Sequence, residues 1–134
     1  MADTGAPRHQ QRERALSLLY EAELKGASPI AVLEALPVPP DAYVCDLLEA
    51  AEATRQEADT RITAASVGWP IDRMAVIDRL VLRLAVAELL NPDGPPKAVV
   101  LDEAVELAKT YSTDDSGSFV NGILSTIAAE VRPA

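Results

Sequence analysis

The sequence contains very few of the residues from which catalytic and metal centres are most often built. Its 134 residues include one cysteine, Cys45, and one histidine, His9. A single cysteine excludes an internal disulfide, and with one histidine beside it neither a zinc cage nor a Cys/His nucleophilic pair stands out. Cys45 lies among apolar residues, which favours a buried structural thiol. We therefore expect a reducing compartment, no metal and no cofactor.

Long apolar runs and phosphate-binding loops are also missing. No apolar stretch approaches the roughly 20 residues that a membrane span requires, and the N-terminal sequence MADTGAPRHQQRER contains no apolar core of a signal peptide. Glycine-rich nucleotide loops of the types GxGxxG and GxxxxGKS/T do not occur. Carboxylate pairs such as Asp102 and Glu106 are interpreted as a solvated helix face, without acid–base catalysis. We expect a cytoplasmic protein that is not an enzyme and does not bind membranes.

Aromatic residues are equally scarce, at 4 % of the sequence, whereas apolar residues of all kinds reach 49 %. The core must therefore be aliphatic and rich in alanine, which favours helices, and no strand pattern is visible. The length of the chain fits one domain. We predict a single domain over residues 1–134, of which residues 1–7 form a flexible tail.

Apolar residues recur at helical spacing along most of the chain. The helices predicted from this spacing cover 8–25, 29–36, 41–65, 75–90 and 97–111, followed by a last helix that Ser112 and Asp115 cap. The sequence leaves open whether 41–65 forms one helix or two. The pattern predicts an all-α fold, a single compact domain of six or seven helices.

The segment 75–90 is apolar on nearly all sides, which predicts a central helix. A narrow polar stripe interrupts it, formed by Asp78, Arg79, Arg83 and Glu88. Because the rest of this helix is buried, the stripe is one of the few places where a partner can reach it.

Charge is unevenly distributed along the chain. The net charge of −9 argues against nucleic acid, because phosphate neutralisation drives most of that affinity. Between Arg8 and Arg14, however, three arginines and His9 face a single acid, Glu13. At helical spacing Arg8 and Arg12 share one face at the exposed start of a helix. They can grip phosphates or stack on unpaired bases, and a solvated helix start is an equally weighted alternative.

Two glycines, Gly117 and Gly122, lie near the start of the last helix, where each costs roughly 1 kcal/mol relative to alanine. Such a cost indicates close approach by another helix or a ligand. Phe119, between them, is the only phenylalanine. Its apolar character favours a core position, and its place after small residues in the first turn favours a platform on which a base stacks.

Several blocks of the C-terminal half carry a resemblance to a known family. They are IDRLVLRL at 77–84, ELL at 88–90, VLDEAVELAK at 100–109, DS at 115–116 and FVNGIL at 119–124. Their order and spacing resemble the C-terminal signature of the NusB family. The arginine-rich segment 8–20, which ends in Leu-Leu-Tyr, resembles the family's N-terminal helix. The resemblance covers nearly the whole chain and is most specific over 100–124.

The resemblance implies an all-α fold of two packed helical halves and a function in transcription antitermination. Family members bind the boxA element of ribosomal RNA leaders together with NusE, a protein of the small ribosomal subunit. The complex helps RNA polymerase to read through terminators. Carried over by position, the implied RNA contacts are Arg8, His9, Arg12, Asp115 and Phe119, and the implied partner contacts are Tyr20, Asp78 and Arg83. For Phe119, the resemblance favours the platform.

Two alternatives remain open. A similar helical domain precedes the catalytic domain in some RNA cytosine methyltransferases, and this chain could be a detached accessory domain of that kind. It could also be a protein–protein adaptor that never touches RNA, which the acidic body supports and the arginine cluster opposes.

Overall fold

The computed structural model describes residues 4–133, and these form seven α-helices and one short 3₁₀-helix without any strand. The helices are α1 (Arg8–Lys25), α2 (Pro29–Ala35), α3 (Ala42–Ala53), α4 (Arg55–Ala65), α5 (Val76–Leu90), α6 (Lys97–Tyr111) and α7 (Ser116–Val131), with the 3₁₀-helix at Ile71–Arg73. The prediction of an all-α fold with six or seven helices is confirmed. None of the helices in this described range is long and apolar enough to cross a membrane.

The stretch 41–65 forms two helices, because Thr54 leaves the helical conformation between α3 and α4 with φ −99° and ψ 3°. The chain divides into two compact units at the same point, one ending at Ala53 and the other beginning at Thr54. A single domain over residues 1–134 stays a prediction.

In the first unit, α1, α2 and α3 pack against one another. Gly26 ends α1 in the left-handed conformation, with φ 62°, as a glycine in this position does without steric cost. Ser28 begins α2, and its hydroxyl accepts the backbone N–H of Ala31 at 3.0 Å. Both helix boundaries agree with the sequence, because each depends on a residue whose backbone preference is local.

The segment before α1 contacts the start of α3. Thr4 donates its backbone N–H and its hydroxyl to the two carboxylate oxygens of Asp41, at 3.2 and 2.7 Å. The predicted flexible tail at 1–7 includes residues 1–3, which lie outside the described residues, and it stays a prediction.

In the second unit, α5 is the central helix and packs against α4, α6 and α7. Eleven of its fifteen residues are buried, which confirms the prediction from its apolar pattern. The buried residues include Asp78, Arg83 and Glu88. The expectation that the polar stripe is reachable is therefore wrong for Arg83 and Glu88, which are buried along with the apolar faces, whereas Asp78 borders a cavity at the start of the helix.

The predicted cap of the last helix is wrong. Ser112 follows the end of α6, and the carboxylate of Asp115 makes no capping hydrogen bond. Instead, the buried Ser116 hydroxyl accepts the backbone N–H of Thr113 at 3.2 Å and donates to the Ser112 hydroxyl at 3.0 Å. The turn thus closes through Thr113 and Ser116, one residue later in the chain than the sequence pattern indicates.

Gly117 allows α6 and α7 to approach closely. A Cβ at this position would lie 3.0 Å from Cε of Lys109 and 3.1 Å from its Cγ. A Cβ on Gly122 would meet nothing within 4 Å. The expected close approach of a neighbouring helix is found at Gly117 and not at Gly122.

Arg132, just after α7, binds the end of α5. Its guanidinium donates to the backbone carbonyls of Glu88, Leu89 and Asn91 at 2.9–3.0 Å, and also to that of Pro95. These include carbonyls that a helix end leaves without an internal partner. The C-terminal segment therefore fixes the α5–α6 connection.

Candidate nucleic-acid interface

Arg8 opens α1 and lies exposed over an aromatic ring. Its guanidinium carbon is 4.0 Å from the ring centroid of Tyr43, on α3. Its Nη1 also donates to Oε1 of Gln11 at 3.4 Å. The side chain is therefore held in place while it remains exposed to solvent, as an RNA-binding arginine requires.

Arg12 lies on the same side of the helix as Arg8, but only 3 % of its surface is exposed. Its Nη2 donates to the Tyr43 hydroxyl at 3.1 Å, and its guanidinium carbon is 5.6 Å from the centroid of the same ring. The expectation of an exposed Arg12 is wrong, because the helix face that carries it packs towards α3. Its implied RNA contact stays a prediction.

His9 and Arg14 complete the basic segment. His9 is partly exposed, and its Nε2 lies 3.7 Å from the Glu13 carboxylate one turn later. Arg14 is exposed. A solvated basic surface therefore remains at the start of α1 beside the buried Arg12, and it is available to phosphates.

The second unit contains a cavity of ≈ 390 Å³ beside the start of α7. Its lining residues are Trp69, Met74, Ala75, Asp78, Thr113, Asp115, Ser116 and Phe119. Asp115 is exposed and Phe119 is half-buried. The structure thus brings together the two residues at the start of α7 that the resemblance implies as RNA contacts.

The half-buried ring of Phe119 is not part of the closed core, which α7 fills with Val120, Ile123, Leu124 and Ile127. Phe119 lines the cavity. Of the two interpretations of this residue, its partial exposure favours the platform, which stays a prediction. A partly exposed aromatic residue beside a cavity offers a surface for base stacking.

Asp78 also borders this cavity, from the first turn of α5. Only 7 % of its surface is exposed. Among the buried side-chain nitrogen and oxygen atoms of residues 4–133, its Oδ1 is the one that has no hydrogen-bond partner. Leaving a buried acceptor unpaired costs about 1–3 kcal/mol. An unpaired carboxylate oxygen of this kind favours a ligand or partner that donates hydrogen bonds.

Sequence reasoning missed Tyr43 and Trp69. Trp69 borders the cavity and is 54 % exposed, although the sequence could not assign it to core or surface. An aromatic residue in the turn Val67-Gly68-Trp69-Pro70 is a signal for surface exposure, because turns lie on protein surfaces. No local pattern marks Tyr43, whose role depends on which helix packs beside α1.

The implied partner residues differ in accessibility. Tyr20 is 38 % exposed on α1, one turn before the more exposed Leu24. Arg83 is buried and forms a bidentate pair with Asp59, at 2.8 and 3.0 Å. The predicted partner contacts of Tyr20, Asp78 and Arg83 are untested, and the burial of Arg83 favours a structural role for it.

Cys45 is buried, as its apolar surroundings predict, and its Sγ lies 3.6 Å from the Pro40 carbonyl oxygen. Burial raises the pKa of this thiol, and the nearby carboxylates of Glu49 and Asp46 raise it further. Within residues 4–133, no group of histidine, cysteine or acidic side chains is arranged to hold a metal ion.

This chain is similar in sequence to proteins that carry the name of one family. The NusB family pattern matches residues 9–129. The transcription antitermination protein NusB of Saccharopolyspora erythraea is 44 % identical over 127 residues, which cover 90 % of this chain and 86 % of that protein. The protein of the same name from Streptomyces griseus is 43 % identical, with 90 % of each chain covered.

Solved structures agree with the sequence comparison. NusB of T. maritima superposes with a TM-score of 0.83 at 34 % identity, covering 93 % of this chain and 92 % of the other. A chain from a crystal structure of the antitermination factors NusB and NusE with double-stranded RNA gives a TM-score of 0.77 at 31 % identity. That match covers 92 % of this chain and 96 % of the other. Sequence pattern, length and fold all agree, and the chain belongs to the NusB family.

Proposed function

We propose that this chain is a transcription antitermination factor that binds boxA-type RNA together with NusE. In this role it joins the antitermination complex of RNA polymerase and supports ribosomal RNA transcription. It acts by binding, without catalysis, in the cytoplasm. Relatives that carry the name of this function, and a solved NusB–NusE–RNA complex of the same fold, support the proposal.

The observation that carries the proposal is that the half-buried Phe119 and the exposed Asp115 line the same cavity. Sequence-specific RNA recognition targets unpaired bases, which stack on aromatic rings and form hydrogen bonds through their edges. An amino group of such a base can donate to Asp115. Phosphates are excluded from this place by the carboxylates, and they are bound at the basic start of α1, where Arg8 and His9 are accessible.

The net charge of −9 limits what the protein achieves alone. Only a short basic segment offsets the repulsion between the acidic body and RNA phosphates. A basic ribosomal partner supplies the missing positive charge and is attracted by the acidic surface. We propose Tyr20 as an exposed apolar contact for NusE and Asp78 as an acidic one. Arg83 acts indirectly, by holding α5 in place.

The test is a titration of labelled boxA-containing RNA with the full chain, alone and with purified NusE, against RNA of the same composition with a scrambled boxA. We expect modest, salt-sensitive binding by the chain alone and a marked gain with NusE for the boxA RNA only. Equal affinity for both RNAs, or a complex with NusE that binds no RNA, contradicts the proposal. The latter result identifies a protein–protein adaptor.

A further inference from the structure

We propose that Tyr43 is a positioning residue for RNA binding. Its ring holds the guanidinium of Arg8 ready for a phosphate, and the buried Arg12 holds the ring through its hydroxyl. This inference rests on the proposed RNA-binding function. It also changes the role of Arg12 from a direct RNA contact to an indirect one.

The geometry separates the two arginines. Arg8 is exposed with its guanidinium carbon 4.0 Å from the Tyr43 centroid, well within the roughly 6 Å range of a cation–π contact. Arg12 is 3 % exposed and donates to the Tyr43 hydroxyl at 3.1 Å. A side chain as buried as Arg12 cannot reach a phosphate in solvent without breaking this packing. Arg8 can do so without leaving the ring.

Gln11 restrains Arg8 from a second direction. Its Oε1 accepts from Nη1 of Arg8 at 3.4 Å, and its own Nε2 donates to the Ala6 carbonyl at 2.8 Å. Gln11 is itself buried. Arg8 is thus held between a ring on α3 and an amide that is bound to the segment before α1.

Restraint of this kind strengthens binding by a long side chain. A free arginine loses much rotamer freedom when it grips a phosphate, and a preorganised one has already lost part of it. The negative face of an aromatic ring also stabilises the positive guanidinium without neutralising it. The charge of Arg8 therefore remains available to RNA.

The experiment compares two rings of nearly the same shape at position 43. One variant is Tyr43→Phe, and the other carries pentafluorophenylalanine at position 43, whose fluorines reverse the charge distribution of the ring face. Both lack the hydroxyl, so they differ mainly in their attraction for a cation. Affinity for labelled boxA-containing RNA is measured with the full chain in the presence of NusE, and thermal melts confirm that both variants fold.

We expect the fluorinated variant to bind RNA about twofold to fivefold more weakly than Tyr43→Phe, the range of an exposed cation–π contact. The difference should vanish in an Arg8→Ala background. It should persist in an Arg14→Ala background, which removes an exposed arginine of the same helix. Arg8→Ala alone should lower the slope of log affinity against log salt by about 0.7, as the loss of one phosphate contact on a single strand does.

Two results overturn the inference. One is equal RNA affinity of the phenylalanine and pentafluorophenylalanine variants. The other is a difference that survives in Arg8→Ala, which would show that the ring contacts RNA itself. If the unmodified chain fails to bind boxA-containing RNA with NusE, the proposed function is refuted as well. If only the inference fails, the unmodified chain still binds this RNA, so the two failures are distinguishable.

Discussion

The guanidinium of Arg83, in the buried helix α5, meets the carboxylate of Asp59, in α4, through two parallel hydrogen bonds of 2.8 and 3.0 Å. Bidentate pairs of this geometry are the strongest that arginine forms. The Arg83 side chain is 9 % exposed, whereas that of Asp59 is 30 % exposed and also lies 3.9 Å from Arg55. The pair links α4 to α5. The buried Arg83 depends on Asp59 to balance its charge, whereas Asp59 also has Arg55 and solvent.

Asp59→Ala should therefore destabilise the protein more than Arg83→Ala. Removing Asp59 leaves a buried guanidinium unpaired, which costs about 3 kcal/mol. Removing Arg83 leaves Asp59 with Arg55 and solvent, at a cost of about 1–2 kcal/mol. Urea denaturation of the two variants and of the double variant measures this difference. Equal losses, or a larger loss for Arg83→Ala, would contradict the asymmetry.

The boundary between α1 and α2 could be predicted because it depends on a few neighbouring residues, whereas the cap of α7 and the break at Thr54 could not. Gly26 ends α1 and Ser28 begins α2 as their backbone preferences require. The apolar pattern of 75–90 likewise predicts the central helix, since a helix without a polar side must be buried. These features are local, so no knowledge of the tertiary structure is needed.

The candidate sites depend on packing that no local pattern contains. Helical spacing predicts Arg12 at the surface, but it is buried beside Tyr43 of α3. Phe119 is half-buried and lines a cavity, and which residues surround it depends on how the turn before α7 packs. The residue types at these sites were predictable, and their accessibility was not.

Arg8 and Arg12 should differ sharply when each is replaced with alanine. Arg8→Ala should change the free energy of unfolding by no more than about 0.5 kcal/mol, as exposed substitutions do. Arg12→Ala should cost about 1–3 kcal/mol, because it empties a buried position and removes the hydrogen bond to Tyr43. The two measurements are thermal or urea unfolding of each single variant. An Arg12→Ala protein as stable as Arg8→Ala would refute the buried role, and simultaneous replacement would mix both effects.

Cys45 should be slow to react in the folded protein. Burial raises the pKa of its thiol above the ordinary value of 9.0, so almost none of it is thiolate near neutral pH. Alkylation by iodoacetamide at pH 7.5 should therefore be much slower in buffer than in denaturant. Because the folded pKa is raised, this group's contribution to stability is complete below the unfolded pKa and is lost as pH rises through the folded one. Equal alkylation rates in buffer and denaturant would show an accessible thiol.

Asp78→Asn should weaken the association with NusE while the fold is retained. The change keeps the shape of the side chain and removes a charge that has an unpaired buried oxygen. We expect an affinity for the basic partner about tenfold lower, since a desolvated charge contributes strongly to an interface. Asp72→Asn is the matched control, because it makes the same change at an exposed position nearby. Calorimetric titration that shows full affinity in Asp78→Asn would remove this residue from the interface.

Phe119→Ala should separate folding from RNA binding. A fully buried phenylalanine would cost about 3–5 kcal/mol of stability on truncation, and the half-buried Phe119 should cost clearly less because the cavity already replaces part of its surroundings. If its ring stacks on a base, the loss should appear as about 1–3 kcal/mol of RNA affinity. Leu124→Ala, at a fully buried position of the same helix, is the control that should lower the melting temperature strongly. A Phe119→Ala protein that melts as early as Leu124→Ala, or that binds boxA-containing RNA with unchanged affinity, would rule out the stacking platform, because a platform needs its ring for the ligand and not for the core.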